Sequence, residues 1–200
     1  MIIMTVKSKS RRKFLKVILS GLGVIGALFA FWPFVRSMKP GKKAQSASAP
    51  ITVDITDLKP NEKIAVTWQG MPIYIIRRSQ AQIAALKKED PNLRDPGSQY
   101  SKQPEGSSNA LRSLNEEVFV VVAICTHLGC SPTYKPEKAS VDQDWSGGFF
   151  CACHGSKFDL AGKVYKKVPA PTNLMVPPHY FSDENTIIIG IDKPGVANNV

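Results

Sequence analysis

CTHLGC at residues 125–130 and CACHGS at residues 151–156 hold all four cysteines and two of the three histidines of this chain. Cys125-x-His127 and Cys151-x-x-His154 each offer one thiolate and one imidazole within a few residues. Short loops can bring two such pairs to one site. Cys130 and Cys153 are then left over, one per box. Six sulfur and nitrogen candidates exceed what a single four-coordinate metal takes. A structural zinc site could use some four of them, but zinc ribbons usually carry paired C-x-x-C knuckles, and neither box is one. Two disulfides would leave both histidines unexplained.

Outward from the boxes the chain reads as short strands. Residues 117–124 (EVFVVVAI) form a strongly buried strand running straight into the first box, and 147–150 (GGFF) lead into the second. Upstream, ITVDI at 51–55 and KIAVTW at 63–68 are strand-like. Gln69-Gly70 then turns the chain into MPIYIIRR at 71–78, a hairpin signal. Residues 80–88 (QAQIAALKK) are helix-like, and 89–109 are polar and rich in Pro, Gly and Ser. That long loop is either an interaction surface or an ordered excursion. TIIIGI at 186–191 supplies a final strand. No internal repeat is present, and the pattern predicts a mainly β sandwich or barrel.

The formal net charge of +10 is unevenly placed. Residues 1–49 carry 10 of the 26 Lys and Arg and none of the 16 Asp and Glu, so residues 50–200 balance to zero. A nucleic-acid function loses most of its support there. The basic residues instead flank the uncharged run 17–35 (VILSGLGVIGALFAFWPFV), whose length as a helix, about 28 Å, matches one hydrocarbon core. Immediately before it, Ser10-Arg11-Arg12-Lys13-Phe14-Leu15-Lys16 resembles the twin-arginine export signal at every specified position. Ala47-Ser48-Ala49 could serve as a cleavage site. It lies beyond four basic residues, well past the apolar run, so an uncleaved anchor is expected. The expected organisation is a cytoplasmic segment at 1–16, a transmembrane anchor at 17–35, a flexible tether at 36–50 and a domain at 51–200.

CTHLGC followed by CACHGS resembles the paired boxes of Rieske iron–sulfur proteins. In that family two cysteines hold one iron of a [2Fe–2S] cluster and two histidines hold the other. The resemblance implies one cluster per subunit, with Cys125 and Cys151 on one iron and His127 and His154 on the other. It also implies a disulfide between Cys130 and Cys153, which suits an exported domain. Rieske ferredoxins of ring-hydroxylating oxygenases typically lack that extra pair, so its presence points to the quinol-oxidising branch. LRDP at 93–96, WQGMPI at 68–73 and PAPTNL at 169–174 with Val176-Pro177 are similar to features of that branch, the last to its proline loop.

This resemblance implies a Rieske-type antiparallel β-sandwich with a small cluster-binding subdomain at about 124–172, preceded by one transmembrane helix. It implies an electron-transfer subunit of a quinol–cytochrome c reductase that contributes to proton translocation. Its partners would be cytochrome b and a membrane-bound c-type cytochrome in a dimeric complex, with quinol as substrate. The place would be a bacterial inner membrane, N-terminus cytoplasmic and domain periplasmic. His154, with His127 beside it, would contact quinol and accept its proton. Leu128 would shield the cluster, Ser156 would donate to a cluster sulfur, and Pro169 and Pro171 would belong to the covering loop. Imidazoles in place of two thiolates raise the potential to roughly −150 to +300 mV, against about −400 mV for all-cysteine plant-type clusters.

One position departs from the family's high-potential pattern. Where those members carry Tyr two residues after the Ser, this chain has Phe158, which predicts a lower potential and leaves the quinone, ubiquinone or menaquinone, open. A second function class remains in view, the small Rieske subunit of a periplasmic molybdenum oxidase. His179 has no partner in the motif and is expected to be packed or exposed rather than a ligand. Trp145, between the boxes, is expected to be an ordinary packing or surface residue.

Overall fold

A computed structural model describes residues 9–39, 41, 49–88 and 90–192. The chain divides into two compact units, 1–45 and 46–200. Among its described residues the first contains one helix, α1 (Lys9–Ser37), uncharged over 17–35 and with no buried residue. It starts earlier than the apolar run because Lys, Arg, Phe and Leu of the export motif are compatible with helix and nothing before Pro33 interrupts it. A fully exposed apolar surface on a 29-residue helix suits lipid rather than water. Most of the expected tether, 40 and 42–48, lies outside the described residues.

Among its described residues the second unit holds three three-stranded antiparallel sheets. One pairs β1 (Ile51–Asp54) with β9 (Thr186–Ile189), and β9 with β8 (His179–Asp183). A second runs β2 (Lys63–Trp68), β3 (Met71–Arg77), β4 (Val118–Val122). The third joins β5 (Thr133–Lys135), β6 (Gly148–Cys151) and β7 (Ser156–Phe158). β5, β7 and β8 are strands that the sequence pattern does not announce. A short helix, α2 (Gln80–Leu86), follows β3. It opens on a capping box in which Ser79 Oγ accepts from Gln82 N–H while the Gln82 side chain accepts from Ser79 N–H.

β4 explains how the layers stack. All five of its residues are buried, although successive side chains of a strand point to opposite faces. Val118, Val120 and Val122 enter one core with Ile55, Trp68, Ile73, Ile75, Ile187 and Ile189, between the first two sheets. Phe119 and Val121 enter a second core with Ile76, Phe149, Phe158, Val164, Ala170, Cys125 and Cys151. The β2–β3–β4 sheet is therefore shared, covered by the sandwich partner on one face and by the cysteine-bearing sheet on the other. The uninterrupted apolar run is what a strand buried on both faces requires.

The long polar stretch after α2 is an ordered excursion. Leu93, Asp95, Ser98 and Ser107 are buried in it. Leu93 bridges to Tyr165, Arg94 N–H donates to Val164 O and Val176 N–H to Lys102 O, so the excursion is seated along 164–176.

Candidate metal centre

The two boxes are loops built alike. The first leaves β4 and the second follows β6. In each, the first cysteine's carbonyl accepts a hydrogen bond from a glycine N–H four residues on, Gly129 to Cys125 O at 3.0 Å and Gly155 to Cys151 O at 2.9 Å. Both glycines have positive φ, +85° and +74°, which lets the chain turn back at a position where a β-carbon is costly. The common spacing Cys-x-x-x-Gly could have identified this turn from sequence.

Cys125 and Cys151 are buried free thiols at the base of the loops. Burial pushes the Cys125 thiol up, its nearness to Cys151 adds to this, and the His127 N–H and Ser156 side chain oppose it. His127 is half-buried and His154 exposed, their rings edge to face with centroids 4.8 Å apart. Cys130 and Cys153 are joined by a disulfide with Cα atoms 6.7 Å apart. The sulfurs of Cys130, Cys151 and Cys153 lie within 4.8 Å of one another. Two of these three are consumed by the disulfide, so this proximity marks a bridge lying beside Cys151 rather than a three-thiolate site. What remains is two buried thiols and two imidazoles, the mixed donor set that a two-iron cluster with Cys2His2 ligation takes.

Leu128, which follows His127 directly, is 71% exposed. Ser156 is buried, and its Oγ accepts from Ala170 N–H at 3.1 Å. Phe158 is fully buried in the core that contains Cys125 and Cys151. Pro169 and Pro171 are exposed in the loop 168–172, while Ala170 between them is fully buried in that same core. Thr126 Oγ1 donates to Thr172 O at 2.7 Å, tying this third loop to the first box. Arg94 Nη1 and Nη2 donate to Ala170 O and Val168 O, each at 2.9 Å. The roles of Thr126 and Arg94 have no signal in local sequence, because their partners are 46 and 76 residues away.

His179 is packed, 1% exposed, in β8 and away from the boxes in the fold's topology. Trp145 is buried and its indole N–H donates to Lys135 O at 3.1 Å.

Residues 92–178 match the model of the Rieske [2Fe-2S] domain, and residues 4–41 match that of the ubiquinol–cytochrome c reductase Fe-S subunit TAT signal. The chain is 47% identical over 188 residues, 93% of its length and 91% of the relative's, to the ubiquinol-cytochrome c reductase iron-sulfur subunit of Allochromatium vinosum. It is 37% identical to the protein of the same name from Rhodospirillum rubrum, covering 90% of this chain and 92% of that one. A solved chain from a hyperthermophilic respiratory Complex III aligns over 86% of this chain and 98% of its own length, with 25% identity and a TM-score of 0.46. The matches to the two family models and to the Allochromatium vinosum and Rhodospirillum rubrum subunits place the chain in the Rieske family of ubiquinol–cytochrome c reductase iron–sulfur subunits.

Proposed function

We propose that this chain is the membrane-anchored electron-transfer subunit of a bacterial quinol–cytochrome c reductase. It takes an electron from quinol at the cytochrome b quinol site and passes it to a membrane-bound c-type cytochrome. The observation that carries the reading is that two imidazoles in edge-to-face contact and two buried thiols stand on the same two loops, which a disulfide clamps together. Cys125, Cys151, His127 and His154 would hold the [2Fe–2S] group, which supplies a one-electron acceptor when bound.

His154, the more exposed of the two rings, would accept a hydrogen bond from the quinol hydroxyl and then its proton at the ring nitrogen that does not hold the group, that nitrogen having first lost its own proton because the metal's charge favours the anion. The quinol O–H bond breaks and an imidazole N–H forms. Leu128 offers an apolar contact beside it for the quinol-side surface. Segment 17–35 spans the inner membrane with the N-terminus cytoplasmic, 36–50 acts as the tether, and the domain works on the periplasmic side. The tether lets that domain move between its two partners in a dimeric complex.

Solubilised membranes test this directly. The chain should co-purify with b- and c-type haem and with quinol-dependent cytochrome c reduction. Substituting His154→Ala should abolish that activity while the chain still reaches the membrane. Recovery with a molybdopterin protein instead would overturn the reading.

A further inference from the structure

The loop 168–172 cannot hold its own shape. Pro169 and Pro171 have no N–H to donate. Lys167, just before it, is forced to φ +58°. Three alternate carbonyls of the loop therefore take donors from elsewhere. Thr126 Oγ1 serves Thr172, and the Arg94 guanidinium serves both Val168 and Ala170. On its other side Ala170 gives its N–H to Ser156 Oγ at 3.1 Å, and the buried Ser156 is the register partner of Cys151 across the β6–β7 pair. Ala170 is thus pinned from both sides, by Arg94 at its carbonyl and by Ser156 at its amide.

Arg94 is itself well anchored. Its N–H donates to Val164 O at 2.9 Å, and Lys166 N–H donates to Asn92 O at 2.7 Å. Buried Leu93 and Asp95 flank it. Asp95 accepts from Gln99 N–H, Tyr100 N–H and Ser101 Oγ, and its carbonyl accepts from Asn173 Nδ2, so the excursion grips the far end of the loop as well. The Arg94 side chain stays at the surface, so replacing it opens no core cavity.

We propose that Arg94 is a positioning residue for the metal centre. By bridging Val168 O and Ala170 O it holds the Ala170 amide on Ser156 Oγ, which fixes the oxygen and leaves the Ser156 hydroxyl hydrogen to point toward the metal centre. A planar guanidinium can bridge two carbonyls that one ammonium cannot hold in the same geometry. The inference rests on the [2Fe–2S] reading. It assigns to the LRDP excursion a role in setting the redox properties of the site.

The test uses the full-length chain in its membrane, with Arg94→Lys, Arg94→Gln, Ser156→Ala and the double variant Arg94→Lys/Ser156→Ala. Redox-titrated EPR reads the reduced-state spectrum and the midpoint potential. Both Arg94 variants should broaden the spectrum and shift the potential downward, and the double variant should lie no lower than Ser156→Ala alone. If Arg94→Lys matches wild type while Arg94→Gln shifts, only charge matters and the proposal falls. Additive shifts in the double variant also overturn it, because Arg94 then acts without Ser156. A wild-type chain with no mixed-ligand [2Fe–2S] signal would instead defeat the underlying reading.

Discussion

The guanidinium carbon of Arg78 lies 4.4 Å from the centroid of the Phe119 ring. Arg78 is 1% exposed and donates to Leu160 O, Leu111 O, Glu116 O and Ser113 Oγ. It therefore joins the end of β3, the segment entering β4 and the turn after β7. Burial lowers its pKa to about 9, with Asp159 opposing, so it remains a cation at neutral pH. Arg78→Met should destabilise the domain by about 3 kcal/mol, since it strands buried carbonyls and removes the contact with the ring. Arg78→Lys should recover only part of this. Chemical denaturation of the domain measures both.

Phe158→Tyr places a phenol in the core that contains Cys125 and Cys151. If its O–H favours the reduced form by about 1.4 kcal/mol, the midpoint potential rises by about 60 mV. Protein-film voltammetry reads this, and an unchanged or lower potential would sink the idea.

The Cys130–Cys153 bridge closes a loop between residues 23 apart in sequence. Its removal by paired Cys→Ser substitution should cost about 2–4 kcal/mol. More tellingly, visible absorbance of the metal centre should be lost on heating before the secondary structure is, because the bridge clamps the two ligand loops whereas apolar packing on both faces of β4 holds the sheets.

His179 Nδ1 lies 2.8 Å from Pro177 O, a partner that can only accept, so this nitrogen carries the proton. Nε2 is buried with no partner. Burial lowers the pKa below its ordinary value of 6.5. Between the lowered folded pKa and about 6.5 the unfolded chain binds more protons, so stability is full above that window and declines as pH falls through it. The melting temperature should drop between pH 7.5 and 5.5, and His179→Gln should flatten the drop. An equal drop in the variant would refute the assignment.

The legible part of this fold is the part with strong period or strong composition. β2, β3 and β4 follow apolar runs of five to seven residues, and their bounds fall within the expected stretches. β5 and β7 are three residues each, TYK and SKF, too short for alternation to register. β7 also hides inside a motif whose residues read as ligand chemistry. At the site, the four ligand candidates and the surplus cysteine pair stand out by type and spacing. Arg78, Arg112 and Asp159 do not, because charged side chains read as surface until burial shows carbonyls and amides waiting for them. Arg94 belongs to a visible motif, yet its task depends on a loop brought near only by the tertiary fold.

The two-faced β4 sets a limit on how this protein can be cut. Residues 124–172 look like a detachable module, with their own sheet and their own disulfide. Excising them would expose Phe119 and Val121 on the remaining sheet, and Phe149 and Phe158 on the fragment, each now fully buried. Neither piece would keep a closed apolar interior. The cysteine-bearing region is better regarded as the outer storey of one building than as an annex, and a minimal redox fragment would have to carry the strands beneath it.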